Sequence, residues 1–142
     1  MNKFFSSSPI NAAYGIALVR IIIGVFLIYH GKEVFDAAKM QEYVKWDNFK
    51  SSSFMPYLGK GAEFIAGVLL VLGLFTRVAA LITIGTFVYI VFFIGKGKFM
   101  MDDQYPFLFA VFGLLFLFTG PGALSLDGVF FKNKKGSYNK VE

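Results

Sequence analysis

Apolar residues dominate four long stretches of the chain, and polar residues collect between them. The stretches run from Ala12 to Tyr29, from Tyr57 to Phe75, from Val78 to Ile94 and from Pro106 to Thr119. A helix needs about 20 mostly apolar residues to cross about 30 Å of hydrocarbon, so each stretch predicts a membrane-spanning helix, the last a short one. The expected fold class is all-α: a four-helix transmembrane bundle forming one integral membrane domain over residues 1–142. The first stretch holds Arg20 near its middle and leads into Gly31-Lys32-Glu33 without a small-x-small cleavage site, which argues for a retained span rather than a secretory signal.

The connections differ in length, and the difference is informative. Only Thr76-Arg77 separates the second span from the third, a tight antiparallel hairpin. The segment from Gly31 to Pro56 is long and mixes Phe35, Tyr43, Val44, Trp46 and Phe49 with charged residues, so an interfacial helix is expected between spans one and two. Asp103 and Pro106 are placed to begin the fourth span. After it, Gly120-Pro121-Gly122 ends the helix, because proline lacks the donor needed to continue and glycine takes conformations other residues avoid. Ser125 and Asp127 then suit the N-cap of a short C-terminal helix.

Composition strengthens the membrane reading and removes several chemistries. The chain is 56% hydrophobic and 16% charged, against about 25% charged in an ordinary soluble domain. Its net charge of +5 is scattered through loops and termini, with no basic stripe interleaved with stacking aromatics, so the expected partner is the lipid bilayer and not nucleic acid. There is no cysteine and one histidine, which leaves no thiol relay, iron–sulfur ligation or covalent haem; neither a metal nor a haem is expected. If redox chemistry happens beside this chain, something other than its own side chains carries the electrons.

Four spans put both termini on one side. That side carries Lys3, Arg77, Lys132, Lys134, Lys135 and Lys140, the other Lys32, Lys39, Lys45, Lys50, Lys60, Lys96 and Lys98, nearly a tie by the positive-inside rule. The dense C-terminal cluster tips the expectation to cytoplasmic termini in a multi-pass protein of the cell (inner) membrane.

The chemical signal lies in the few polar groups within or beside the spans. A charge at a helix centre costs about 2.5–3.5 kcal/mol by insertion scales, so such groups face protein or water. Arg20 shares its helical face with Ala13, Ala17 and Gly24, and Glu63 shares one with Gly59, Ala66 and Gly67, so both are expected to face the bundle. Antiparallel helices of matched depth would set Glu63 level with about position 25, roughly 7–8 Å along the axis from Arg20. Two readings follow: a structural ion pair that fixes helix register, or the lining of a pocket for a ligand headgroup. Thr83, Thr86 and Tyr89 add hydroxyls on one face of the third span, though for a threonine taken singly a bond to its own helix backbone is the favoured reading. Tyr29 and His30 end the first span, where the imidazole is either solvated or donates a hydrogen bond to a ligand carbonyl. Arg77 reads either as a snorkelling anchor or as the partner of Asp127 in a structural ion pair.

Taken together, the residues Leu18-Val19-Arg20-Ile21, Tyr29-His30-Gly31, Glu63, Leu72-Gly73-Leu74-Phe75-Thr76-Arg77 and Gly120-Pro121-Gly122-Ala123-Leu124-Ser125-Leu126-Asp127 resemble the DoxX family of small four-helix bacterial membrane proteins. The resemblance spans roughly residues 12–131. It implies the four-helix fold and, more weakly, an association with oxidoreductases, since DoxX-like proteins include a subunit of thiosulfate:quinone oxidoreductase. The expectation drawn from it is a membrane subunit of, or associated with, a quinone-linked oxidoreductase. In it Arg20, Tyr29, His30, Glu63, Thr83, Thr86 and Tyr89 would bind a quinone-like headgroup. The rival expectation is a non-enzymatic assembly factor or accessory subunit that recognises a partner protein.

Overall fold

A computed structural model describes residues 6–132. Helix α1 covers Ala12–Gly31 and continues as a 3-10 turn over Lys32–Phe35. Helix α2 covers Ala37–Val44, followed by a 3-10 turn at Asp47–Phe49. Helix α3 covers Phe54–Leu72, α4 covers Thr76–Tyr89 and runs on as a π-helical turn over Ile90–Ile94, α5 covers Gln104–Thr119, and α6 covers Leu126–Phe130. Among the described residues the architecture is all-helical, and three helices are long and apolar enough to cross a membrane, with α5 a shorter apolar fourth. The chain is a multi-pass integral membrane protein. Lys3, Lys134, Lys135 and Lys140, which weighed in the topology expectation, lie outside the described residues.

Packing proceeds in pairs: α1 lies chiefly against α3, α4 against α5, and α3 joins α4. The first contact is a backbone-to-backbone crossing at Gly24 and Gly67. A Cβ on Gly67 would stand 2.7 Å from Ile28 N and 2.8 Å from Gly24 O, so no larger residue fits without parting the helices. Close approach of this kind replaces the hydrophobic driving force that helices lack in lipid. Around it pack Ile23, Leu27, Ala66, Leu70, Ala79 and Phe116. Most other large apolar residues, such as Leu18, Phe26, Ile65, Leu81 and Phe92, are exposed on the outside of the bundle, as lipid contact requires.

The second span ends at Leu72, three residues earlier than its apolar run. Gly73 takes a left-handed conformation, φ 63°, while Leu74 N donates to Leu69 O and Gly73 N to Leu70 O, the paired bonds of a Schellman stop. The helix between spans one and two is present as α2. Asp36 Oδ1 caps it by accepting from Ala38 N and Lys39 N, and Met40 is buried beneath it.

Helix α5 has 16 residues, about 24 Å at 1.5 Å per residue, short of a full crossing. The remaining depth is filled by the irregular segment after Gly120, which runs back along the start of α1, where Ala123 N donates to Ala13 O at 2.9 Å. Irregular backbone within a membrane protein must have its polar groups met by protein. Arg20 meets three of them.

Candidate functional site

Arg20 is fully buried, and its partners are carbonyls. Its Nε donates to Pro121 O at 2.8 Å, Nη2 to Ala123 O at 3.1 Å and to Leu124 O at 2.8 Å, and Nη1 to Val71 O at 3.2 Å and to Leu70 O. One guanidinium therefore gathers the last carbonyls of α3, where a helix dipole is negative, and three from the loop after α5. Asp127 completes the same knot: its carboxylate accepts from Phe75 N at 2.7 Å and Thr76 N at 2.8 Å, capping α4, while Asp127 N donates to Gly73 O. Ser125 caps α6, accepting from Gly128 N.

This geometry corrects two expectations. No salt bridge joins Arg20 to Glu63 among the described residues. The reason is register: a Cβ on Gly31 would fall on the backbone of Glu63 and Phe64, and Gly24 sits against Val71. Glu63 is thus level with the turn after α1, about 18 Å along the axis from Arg20. The two residues belong to opposite ends of the bundle and share no pocket. Nor does Arg77 pair with Asp127, whose carboxylate is taken by the α4 N-terminus, while Arg77 lies on the exposed side of α4.

At the opposite end, Glu63 is 5% exposed and sits in a chain of charges. Lys60 Nζ lies 3.3 Å from Glu63 Oε2 and 3.1 Å from Glu33 Oε2; Glu33 Oε1 accepts from Lys39 at 2.9 Å, and Tyr43 Oη donates to Glu33 Oε2 at 2.8 Å. The Lys60 ammonium also stands 5.4 Å from the centre of the Tyr43 ring. Burial, and then the bond to Glu33, push the Tyr43 phenol above its ordinary range, which keeps it a donor. The bond to Glu33 likewise raises the Lys39 ammonium.

Beside this corner is a cavity of about 400 Å³. Helix α3 contributes Met55, Pro56, Gly59, Lys60 and Glu63, and α4 with its π-helical turn contributes Gly85, Thr86, Tyr89, Ile90 and Ile94. Tyr43, Trp46 and Phe49 cover it from the α2 side, Trp46 against Tyr43 at 4.9 Å and against Phe49 at 6.5 Å between ring centres. Asn48 Nδ2 ties this cover to Phe93 O at the π-helical turn, 3.0 Å away. The walls are apolar except at Lys60, Glu63 and the hydroxyls of Tyr43, Thr86 and Tyr89. Among the described residues neither the Thr86 nor the Tyr89 hydroxyl has a hydrogen-bond partner within the protein.

With the fold and cavity in place, comparison with known proteins decides the family. The DoxX family model matches residues 15–96, more than half of the chain and all of the cavity's walls. The chain belongs to the DoxX family. A Haemophilus influenzae protein described as "Uncharacterized protein" is 33% identical over 129 residues, 84% of this chain and 92% of the relative. A Bacillus subtilis protein named "Putative oxidoreductase CatD" is 31% identical over 140 residues, 95% of this chain and 96% of the relative. No solved structure matches the chain significantly.

Of the ligand-binding residues expected from the sequence, this DoxX chain brings three to the cavity: Glu63, Thr86 and Tyr89. Arg20 is at the far end. Tyr29 and His30 are exposed on α1, in edge-to-face contact at 5.6 Å with the Lys32 ammonium over the Tyr29 ring. Thr83 Oγ1 donates to Ala79 O at 2.8 Å, within its own helix. Sequence reasoning passed over Lys60, Tyr43, Trp46 and Glu33. Lys60 carried a signal, since it stands three residues before Glu63 and therefore on the same helical face. Glu33 carried none, because it meets Lys60 only through tertiary packing.

Proposed function

We propose that this DoxX protein is a membrane subunit associated with an oxidoreductase, in a bacterial inner membrane with both termini cytoplasmic, and that its cavity binds a quinone-like headgroup. The observation that carries the reading is the cavity's division into an apolar chamber and one polar corner. A quinone presents two carbonyl acceptors on a flat ring, and bound there it would supply electron and proton transfer. The donors face from two helices. The Lys60 ammonium has three N–H groups, of which Glu33 and Glu63 engage two, leaving one for a carbonyl. The Thr86 hydroxyl, on α4, is available for the other. The oxidoreductase association draws on the name of the Bacillus subtilis relative.

Two features favour an uncharged headgroup over a phospholipid. Lys60 is already held between two carboxylates, so a phosphate would compete with both. The remaining lining is apolar or hydroxyl-bearing, which suits a ring that accepts hydrogen bonds without bringing charge.

Trp46, the only tryptophan, lines the cavity and reports directly. Titration of the purified protein with a prenylated benzoquinone is expected to quench its emission saturably. Thr86→Val is expected to weaken the titration midpoint about fivefold, the loss of one hydrogen bond of roughly 1 kcal/mol. Lys60→Met should weaken it about tenfold or more. Quenching that rises without saturation, or midpoints unchanged in both variants, would remove the quinone reading; co-purification of a stoichiometric protein partner alongside that result would favour an assembly role.

A further inference from the structure

The cavity has an open side, and its position assigns the path of the ligand's tail. Gly59 on α3 and Gly85 on α4 both line the cavity, and a Cβ built on either would meet nothing within 4 Å. The glycines at the helix crossings, Gly24, Gly31, Gly67 and Gly113, are tight, so these two mark open space and not a crossing. Gly85 is exposed and shares the outer face of α4 with Leu81, Val88 and Phe92, the face that meets lipid. On α3, Leu58 borders the same opening and is half exposed.

Depth is fixed by counting. Gly85 is the central residue of the 19-residue span Thr76–Ile94, about 14 Å from either end at 1.5 Å per residue, so the opening reaches the middle of the bilayer. Toward the membrane surface Tyr43, Trp46 and Phe49 lie over the cavity, Phe49 6% and Trp46 42% exposed.

Resting on the quinone reading above, we infer that the gap between α3 and α4 at Gly59 and Gly85 is a lateral portal, through which a prenyl-tailed quinone enters from the bilayer and in which its tail remains. The headgroup would reach the Lys60 corner while the tail stays in the hydrocarbon, its apolar surface never crossing water. The absent Cβ atoms are what keep the gap open. Glycine lowers helix stability by about 1 kcal/mol relative to alanine; Gly15 and Gly61 are as open, and what sets Gly59 and Gly85 apart is that both line the cavity, one from each of the two helices that flank it.

The test is Gly59→Leu/Gly85→Leu, singly and together, with Gly15→Leu as a control at an equally open position on α1 away from the cavity. These substitutions add helix propensity and their Cβ atoms meet nothing within 4 Å, so the bundle is expected to stay folded. Binding is read from Trp46 quenching with two probes, a long-tailed prenyl benzoquinone and the tail-less dimethoxy-methyl-benzoquinone. The double variant is expected to bind the long-tailed probe at least tenfold more weakly and the tail-less probe within twofold of the parent, with Gly15→Leu unchanged for both. Unchanged long-tailed binding in the double variant overturns the portal. Equal loss of both probes also overturns it, since leucine would then be filling the headgroup chamber. If the parent protein binds neither probe, the quinone reading itself fails and the portal with it, a result distinct from the other two.

Discussion

Arg20→Leu is expected to leave no stable folded protein in mild detergent. The substitution removes the guanidinium donors that serve Leu70, Val71, Pro121, Ala123 and Leu124, of which Leu70 O alone keeps a bond, from Gly73 N, and buried carbonyls left without partners cost about 1–3 kcal/mol each. Even with partial relaxation the loss should exceed about 4 kcal/mol, the upper range for a single substitution. Arg20→Lys should recover little, because an ammonium offers three donors from a point and cannot reach acceptors on both sides of a planar fork. Thermal unfolding followed by size-exclusion chromatography checks this. A folded Arg20→Leu protein that has lost only ligand binding would contradict the structural role given to Arg20.

Gly67→Leu is the second large effect. The added Cβ would strike Ile28 N and Gly24 O at under 3 Å, and both are backbone atoms that cannot turn aside. The α1 and α3 helices must separate, and the register that sets Arg20 beneath the loop is lost with them. A loss of about 3 kcal/mol or more is expected, at the high end for overpacking, while Gly15→Leu, with nothing in its way, should be near neutral. Comparing the melting temperatures of the two variants separates crowding at the crossing from the general effect of replacing glycine.

The spans were legible because lipid leaves hydropathy almost no freedom: each of the four apolar runs became a helix, and the aromatic-rich connection became α2. The stop after Leu72 was harder to read, since Leu74 and Phe75 are as apolar as the helix and only the backbone of Gly73 ends it. The burial of Arg20 and Glu63 could be read from their small-residue faces, but not their partners. An arginine that binds carbonyls leaves no sequence trace, because every residue has a carbonyl. The pairing with Glu63 assumed that the two helices align by depth, whereas the crossing at Gly24 and Gly67 sets their register and moves Glu63 to the other end. Asp127 shows the same limit, its partners being two amides and not the arginine nearest in the sequence pattern. Thr86 and Tyr89 were found because hydroxyls on an apolar span are conspicuous, and Gly85 was missed because an empty space is not.

The central claim is that the ligand site lies at the Lys60 and Glu63 corner between α3 and α4, and not around Arg20. Photolabelling the purified protein with an azido-quinone and locating the adducts by mass spectrometry tests it most directly. Adducts on residues 59–63 and 85–90 are the result this account predicts; adducts concentrated on residues 120–124, or on Tyr29 and His30, would contradict it.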